Sequence, residues 1–577
     1  MKLKTSIILC AVVFCLGELA YAESKFCVTP YVQHPATDAM SIIFFTDSAC
    51  TATVTCNGET KTTTGVKSTT LVAASSSDNP MWGTMYRHQV RFTGLKAGTK
   101  YGYEVKLGGS DDGALGITPP TYANVFRTAP EKDSSVRFVA YSDSETCPPP
   151  PVAQDEERTD KETGATKQWE KDGPGTKMPY YVSRSKGFAE NIKHMMSEKP
   201  DLILVAGDIA ARGGVQMFWD EYWKENAGGL GLGYNDPAGS TPILAALGNH
   251  DLYDNKGKGI YDFVNSNSDF AIAKYNTYFE FNANDGDGGQ LYHREDYGPV
   301  TLLFLDTVKT SFSSNSTQYK WIEKNLADAQ ANAMFTIVVS HQTPYSGGKH
   351  GNETDVLKVR NTLGALMIQY GVDAWLCGHC EAQEHSQVSG TEKLPDGTER
   401  QHVVNVYDLG SGGDGLLCAQ HVENKYSVFN ARTGSADGKR KSPDGIHYGH
   451  LLIDVKPNFD KGIWQLTMTP MYSYIAEKNG PSELRAYDDT VVVDGPEMDE
   501  PKPDWWVEEP QYAKATLIKW IKGVMTGRQY TGIETRKGLW YAWGKDLQPK
   551  TEWKQGDGTP LEMEKPEGDG WELLVRE

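Results

Sequence analysis

The chain has 577 residues, 39% of them hydrophobic and 11% aromatic, and a formal charge of −19. That is an ordinary globular composition with apolar material for two or three cores, and its net charge argues against nucleic acid and anionic membrane surfaces as partners. An acidic chain that acts on an anionic substrate needs local positive charge, which bound metal ions supply.

Residues 1–22 place Lys2 and Lys4 before an apolar run from Ile7 to Leu16, with Ala20-Tyr21-Ala22 as a small-residue cleavage site. This reads as a signal peptide, too short for a stop-transfer helix, and no later window is apolar enough to span a membrane. The expectation is an exported protein, secreted or periplasmic, that begins near Glu23. Cys10 and Cys15 leave with that segment; seven cysteines remain, so at least one thiol is unpaired, and Cys50 with Cys56 is a candidate loop-closing pair. Asn315 in "NST" and Asn352 in "NET" are glycosylation acceptors if the source is eukaryotic.

From 23 to 130 the texture is all-β, in runs such as "MSIIFFTD", "TATVTC" and "HQVRFTGL" separated by Gly, Asn and Ser turns. About seven short strands over roughly 100 residues fit a sandwich. The ending "GLKAGTKYGYEV" resembles the penultimate strands of a fibronectin type III domain, which implies a spacer or wall.

Between 131 and 476 apolar runs each end in a polar cluster: "VRFVAYSDSE", "DLILVAGDIA", "PILAALGNHD", "TLLFLDT", "FTIVVSHQTP" and "DAWLCGHCE". Helices are predicted at "GFAENIKHMMSE", "TQYKWIEKNLADAQ" and "DVLKVRNTLGALMIQY". The alternation predicts an α/β domain, a layered sheet core flanked by helices, with its site at the strand ends. The insertion Cys147–Lys177, rich in Pro, Gly and charge, leaves directly from the first strand end and is either a lid or a solvated loop. Residues 477–577 are acidic and carry half of the 14 tryptophans. Packing and a carbohydrate or partner platform are the two readings of that segment.

Singly, an Asp or His at a strand end carries little information. Here five such ends follow in order: Asp143 with Glu145, Asp208, Asn249 with His250, His341, and His379 with Glu381. Together they offer the oxygen and nitrogen donors that a pair of divalent metals needs, with one carboxylate placed to bridge. The "CGHC" run lacks a second cysteine pair at zinc-ribbon spacing, so Cys377 reads as a buried thiol on a strand. No nucleophilic serine elbow, P-loop or dinucleotide fingerprint is present.

The ordered "GD", "GNH", "VVSH" and "GH" blocks, with "HQTPYSGGKHG", "LYHREDYGPVTLLFLDT" and the N-terminal sandwich, resemble the calcineurin-like metallophosphoesterases of the purple acid phosphatase-like branch, from about Ser24 to Tyr474. The resemblance implies that Asp208 bridges two metals, that Asn249, His341 and His379 complete the second, and that Asp143, Glu381 and Glu145 hold the first. It places His250 on the phosphate or leaving group and makes His350 a substrate-facing histidine. The activity it implies is hydrolysis of a small phosphorylated substrate, first a phosphomonoester, by a metal-bridged hydroxide; phosphodiester or nucleotide hydrolysis, or a binding module without turnover, are the alternatives.

Three departures from that branch concern the metals. Ala211 stands where purple acid phosphatases carry the tyrosine that colours ferric iron; Glu381 replaces the second histidine of "GHxH"; and Glu145 stands where many relatives have the histidine of Asp-x-His. A first site of Asp143, Glu145, Asp208 and Glu381 is all-oxygen and favours Mg, Mn or Ca, whereas the imidazole-containing second site suits Zn, Mn or Fe. Electron donation by four carboxylates predicts a neutral to alkaline optimum.

Overall fold

The computed structural model describes residues 24–76, 78–108, 120–146, 184–228, 235–254, 267–282, 289–348, 350–413, 422–431, 447–475 and 481–498, with the backbone of 532–536, 539–543 and 571–574. The signal segment, the Cys147–Lys177 insertion and nearly all of the tryptophan-rich segment lie outside the described residues. The chain divides into two compact units, residues 1–453 with 468–491 and residues 454–467 with 492–577.

The first unit opens with eight strands: β1 (Phe26–Gln33), β2 (Met40–Thr46), β3 (Thr51–Cys56), β4 (Glu59–Thr64), β5 (Val66–Lys67), β6 (Tyr86–Phe92), β7 (Lys100–Leu107) and β8 (Thr121–Arg127). They form two four-stranded antiparallel sheets, ordered β1-β2-β6-β5 and β4-β3-β7-β8. Alternation explains this: on β3 the buried Ala52, Val54 and Cys56 point into one core, with Ile42, Phe44, Val105 and Phe126. Cys50 and Cys56 are both free thiols. They stand at opposite ends of extended β3, and six residues at about 3.3 Å each exceed a disulfide's reach.

The α/β part contains β9 (Val136–Tyr141), α1 (Arg184–Ser197), β10 (Leu202–Val205), α2 (Gln216–Asn226), β11 (Ile243–Ala245), α3 (Asp269–Tyr278), β12 (His293–Tyr297), β13 (Val300–Phe304), α4 (Thr317–Asn332), β14 (Phe335–Gln342), α5 (Thr354–Gln369), β15 (Ala374–Gly378), β16 (Gln383–Lys393), β17 (Glu399–Leu409), β18 (Ser427–Asn430), β19 (Gly449–Asn458), β20 (Ile463–Ile475) and β21 (Ser482–Ala486). One sheet runs β11-β10-β9-β19-β20-β21 and the other β12-β13-β14-β15-β17-β16-β18. Within them β9, β10 and β11 are parallel, as are β13, β14, β15 and β17, so each group ends on one edge. Helices α4 and α5 bury Ile322, Leu326, Val359 and Leu363 in one core with Leu303, Val338 and Trp375 of the second sheet.

Helices α1, α4 and α5 match the sequence expectation. Helix α2 lies outside that expectation, although Phe218, Trp219, Tyr222 and Trp223 fall at helical spacing; nine of its eleven residues are buried, polar ones included. In the second unit, β22 (Val491–Glu497) and the β19–β20 turn are joined by Lys461 and Asp494 at 3.0 Å, and Gly532–Arg536, Leu539–Trp543 and Trp571–Leu574 form an antiparallel three-stranded sheet.

The sandwich is tied to the α/β part by buried polar anchors. Tyr31 donates to the Tyr278 carbonyl at 2.7 Å, Gln33 to the Ile243 carbonyl at 3.0 Å and Tyr103 to the Gly239 carbonyl at 2.7 Å. Helix α2 has no side-chain cap of its own; Asp78, from the β5–β6 connection, accepts from the amides of Gln216 at 2.8 Å and Met217 at 3.1 Å. A carboxylate at two orphan N–H groups also complements the helix dipole. Asp78→Ala is expected to remove about 1–2 kcal/mol, read as a lower urea midpoint, with Asp78→Asn losing less; equal midpoints for the alanine variant and the parent would contradict this capping role.

Candidate metal centre

Each strand-end candidate occupies the carboxyl end of a parallel strand. β9 is followed by Asp143 and Glu145, β10 by Asp208 and β11 by Asn249 and His250; β14 closes with His341, and β15 is followed by His379 and Glu381. Past the first sheet, the loops after β9 and β10 stay paired. Asp143 N donates to the Gly207 carbonyl at 3.2 Å and Glu145 N to the Asp208 carbonyl at 2.9 Å.

The backbone there is bent against its preference. Among the described non-glycine residues eight have positive φ, and five of them are Asp143 (53°), Glu145 (36°), Asp208 (50°), His379 (70°) and Glu381 (52°). A left-handed L-residue costs about 1–2 kcal/mol and persists where surrounding structure over-determines it, which is common at functional sites. Two glycines are fixed by crowding. A Cβ on Gly248 would lie 2.1 Å from the Asp208 amide and carboxylate, and one on Gly378 would lie 2.1 Å from Asp143 Oδ2 and 1.9 Å from Ser142 Oγ.

Four donor atoms converge. His341 Nε2 is 3.0 Å from Asp208 Oδ2 and 2.9 Å from Asn249 Oδ1, and His379 Nδ1 is 2.9 Å from the same Asn249 oxygen. The orientations are set from behind. His341 Nδ1 donates to the Ala206 carbonyl at 2.9 Å, leaving Nε2 to face the cluster, and Asn249 Nδ2 donates to Tyr253 Oη at 3.0 Å, leaving Oδ1 inward. Lone pairs from four groups thus point at one place, with spacings near the edge of about 3.0 Å that octahedral coordination at about 2.1 Å gives. These residues fit a divalent ion.

Their electrostatics agree with that reading. Burial pulls His341 down, but the Asp208 and Asp143 carboxylates outweigh it and push it up to about 10, so without a metal this imidazole carries the positive charge. Burial raises Asp208, yet His341 and His250 outweigh it and hold that carboxyl below its ordinary range. Asp143 is pushed up to about 7 by burial, against the pull of His341 and with the Asp208 charge. His379 is held well below the imidazole range by burial and by His341.

The oxygen-rich candidates are less closely gathered. Glu145, Asp208 and His250 have ligand atoms within 4.8 Å of one another, as do Asp208, His341 and His379, and also His350, Glu353 and His379; among the described residues no such group contains Asp143 or Glu381. Asp143 accepts the His379 amide on both oxygens, at 3.1 and 3.0 Å. Glu381 Oε1 is 3.8 Å from His350 Nε2, and Glu145 Oε1 is 3.4 Å from His250 Nε2. His350, from a loop, stacks its ring 4.8 Å from His379 and pairs with Glu353 at 2.6 Å. Ala211, where the tyrosine would stand, is buried, and its carbonyl accepts from His250 Nδ1 at 3.0 Å.

Sequence reasoning passes over Asp251, the fourth residue of "GNHD". It is wholly buried and accepts from the amides of Ile209 at 3.0 Å, Ala210 at 3.1 Å and Gly248 at 3.0 Å, joining the loops that carry Asp208 and Asn249. Its position in the motif was the available signal, but it lies a step behind the donor atoms. Asp355, 3.4 Å from His379 Nε2, and Tyr253 were equally invisible because they orient ligands through space. Gly378→Ala is expected to weaken metal uptake by about 10–100-fold while far-ultraviolet circular dichroism is retained; unchanged uptake in a metal titration would contradict the crowding argument.

Comparison with known proteins shows a match to the family described as calcineurin-like phosphoesterase over residues 182–380, a segment that includes Asp208, Asn249, His250, His341, His350 and His379. Purple acid phosphatase 15 of Arabidopsis thaliana is 22% identical over 315 residues, 50% of this chain and 52% of that protein. Tartrate-resistant acid phosphatase type 5 of Oryctolagus cuniculus is 26% identical over 220 residues, 35% of this chain and 62% of that protein. The chain thus spans about half the length of the curated relatives it matches. In fold it is similar to a purple acid phosphatase isolated from yellow lupin (Lupinus luteus) seeds, with a TM-score of 0.52 at 15% identity over 82% of this chain and 74% of that one. The chain carries a calcineurin-like metallophosphoesterase domain and has purple acid phosphatases as homologues.

Proposed function

We propose that this protein is an exported, binuclear metal-dependent phosphatase that hydrolyses phosphomonoesters. The observation that carries the reading is the convergence of Asp208, Asn249, His341 and His379, whose facing oxygen and nitrogen atoms are all of metal-ligating type. Asp143, Glu145 and Glu381, together with Asp208, would hold a first ion. Ions in these positions supply charge neutralisation and a water of lowered pKa.

The protein's own residues do the rest. His341 and Asn249 are locked in their ligating orientations by the Ala206 carbonyl and Tyr253, so little reorganisation accompanies binding. His250 and His350 stand at the mouth, with side chains 23% and 21% exposed against 0% for His341. Each has its Nδ1 engaged, His250 by Ala211 and His350 by Glu353, which leaves Nε2, now beside Glu145 and Glu381 respectively, as the nitrogen that would meet a phosphoryl oxygen. As an imidazolium either could donate an Nε2 hydrogen bond to the phosphate, and His250 in that form could protonate the leaving oxygen.

Asp208→Asn is expected to lower kcat/KM on a chromogenic phosphomonoester by at least about 10²-fold with the fold intact; activity within about twofold of the parent would refute the assignment. Parallel assays on a bis-ester separate the monoester reading from diester hydrolysis, since a higher kcat/KM on the bis-ester overturns it. With carboxylates at 145 and 381 the pH–rate profile is expected to peak at neutral to alkaline pH, and a maximum near about pH 5 would count against an oxygen-rich first site.

A further inference from the structure

Behind the mouth lies a buried polar cluster that the metal centre does not use. Glu384 on β16 and Asp408 on β17 are directly opposed in the antiparallel register and are 2% and 1% exposed. Like charges so placed destabilise a sheet, the more so when buried. Between them sits Ser346, whose Oγ is 3.0 Å from Glu384 Oε2 and 2.8 Å from Asp408 Oδ2.

The hydrogens can be counted. A serine hydroxyl has one proton to give, and here Oγ also accepts from the Gly348 amide at 2.9 Å. One hydroxyl proton cannot make two well-directed bonds to carboxyl oxygens, and a second proton, on a carboxyl, satisfies both contacts. Glu384 is the acceptor: its oxygens also take the Gly347 amide at 2.6 Å and Asn424 Nδ2 at 2.9 Å. Among the described residues no backbone amide donates to Asp408 Oδ2, and its other oxygen takes a long bond from Gly410 N at 3.2 Å. The consistent arrangement is Asp408 O–H to Ser346 Oγ, then Ser346 O–H to Glu384. Burial and the charges of Asp143 and Glu384 hold the Asp408 carboxyl well above its ordinary range, which agrees.

What this chain of bonds restrains is the segment that leads to His350. Ser346, Gly347 and Gly348 are all held by it, and Tyr345, one residue earlier, is fixed through its carbonyl by Ser386 at 2.8 Å and Asn424 at 3.1 Å. Close packing continues it, since a Cβ on Gly348 would lie 2.3 Å from the Cys380 carbonyl beside His379. We propose that Ser346, held between Glu384 as acceptor and Asp408 as donor, is a positioning latch that sets His350 over the metal centre for phosphate binding. The role given to His350 rests on the proposed phosphatase reading; the latch itself rests on the hydrogen-bond count.

The test uses the full chain and four variants: Ser346→Ala, Asp408→Ala, Asp408→Asn and His350→Ala. An asparagine side chain can donate as a neutral acid does, so D408N is expected to keep KM within about threefold of the parent, whereas D408A and S346A raise KM about tenfold with kcat and metal content little changed. In a double-mutant cycle, S346A in the His350→Ala background is expected to change KM by less than about twofold. Equal effects of S346A in both backgrounds, or D408N as damaging as D408A, would overturn the proposal. Amide hydrogen exchange at Gly347 and Gly348 tests the latch even if no phosphate ester is turned over: faster exchange in S346A and D408A but not in D408N supports it, and unchanged exchange in all three refutes it. Absence of turnover by the parent chain would instead defeat the phosphatase reading.

Discussion

The structure turns on one electrostatic constraint: buried Asp208, His341 and His379 and half-buried Asn249 bring oxygen and nitrogen donor atoms to a common point, where positive charge is required and, without a metal, a proton on His341 supplies it. Asn249 Oδ1 faces two imidazole nitrogens, and one of those also faces the Asp208 carboxylate. Repulsion among acceptors in a dry site is costly, so a cation belongs there. The rest of the domain makes that arrangement possible. Parallel β9, β10 and β11 and parallel β14 and β15 bring their carboxyl ends to one rim, Asp251 clamps two of the loops, and five ligand candidates accept left-handed backbone. The strain is concentrated where the donors are, as expected when folding energy is spent on a preorganised site.

Much of this was legible in the sequence because strand ends announce themselves. An apolar run followed by Gly and then Asp, Asn or His marks a buried parallel strand and the polar residue it delivers, and β10, β11 and β15 follow that pattern. The glycines were legible as motif letters but not as geometry; only the packed structure shows that Gly248 and Gly378 yield their Cβ volume to Asp208 and Asp143. The pattern of helix α2, with Phe218, Trp219, Tyr222 and Trp223 at helical spacing, was present but passed over, whereas Asp251, Tyr253 and Asp355 were hidden because they act on candidate ligands rather than as ligands. Pairing of Cys50 with Cys56 failed as an expectation because spacing along a chain says little once the intervening residues are extended.

The two carboxylates at 145 and 381 are where sequence and structure speak most differently. By type they are hard oxygen donors; by position each lies beside a histidine at the mouth, His250 and His350 respectively. Both placements are compatible with ligation, since a carboxylate has two oxygens and can hold a cation with one while meeting an imidazole with the other. Glutamate at these two positions therefore offers hard oxygen donors and places negative charge against His250 and His350. Asp78 and Glu384 show a related use of acid groups elsewhere, each a buried carboxyl that accepts backbone amides.

The measurement that tests the central claim most directly is the metal stoichiometry of the full chain, purified without chelator or added metal and analysed by plasma mass spectrometry beside Asn249→Ala. The account predicts about two ions per chain in the parent and loss of one in the variant, since the proposed ligand set assigns Asn249 to the second site alone. At most one ion in the parent, with none gained after exposure to manganese, magnesium, calcium or zinc, would contradict a binuclear centre and leave Glu145 and Glu381 as marks of a site given up.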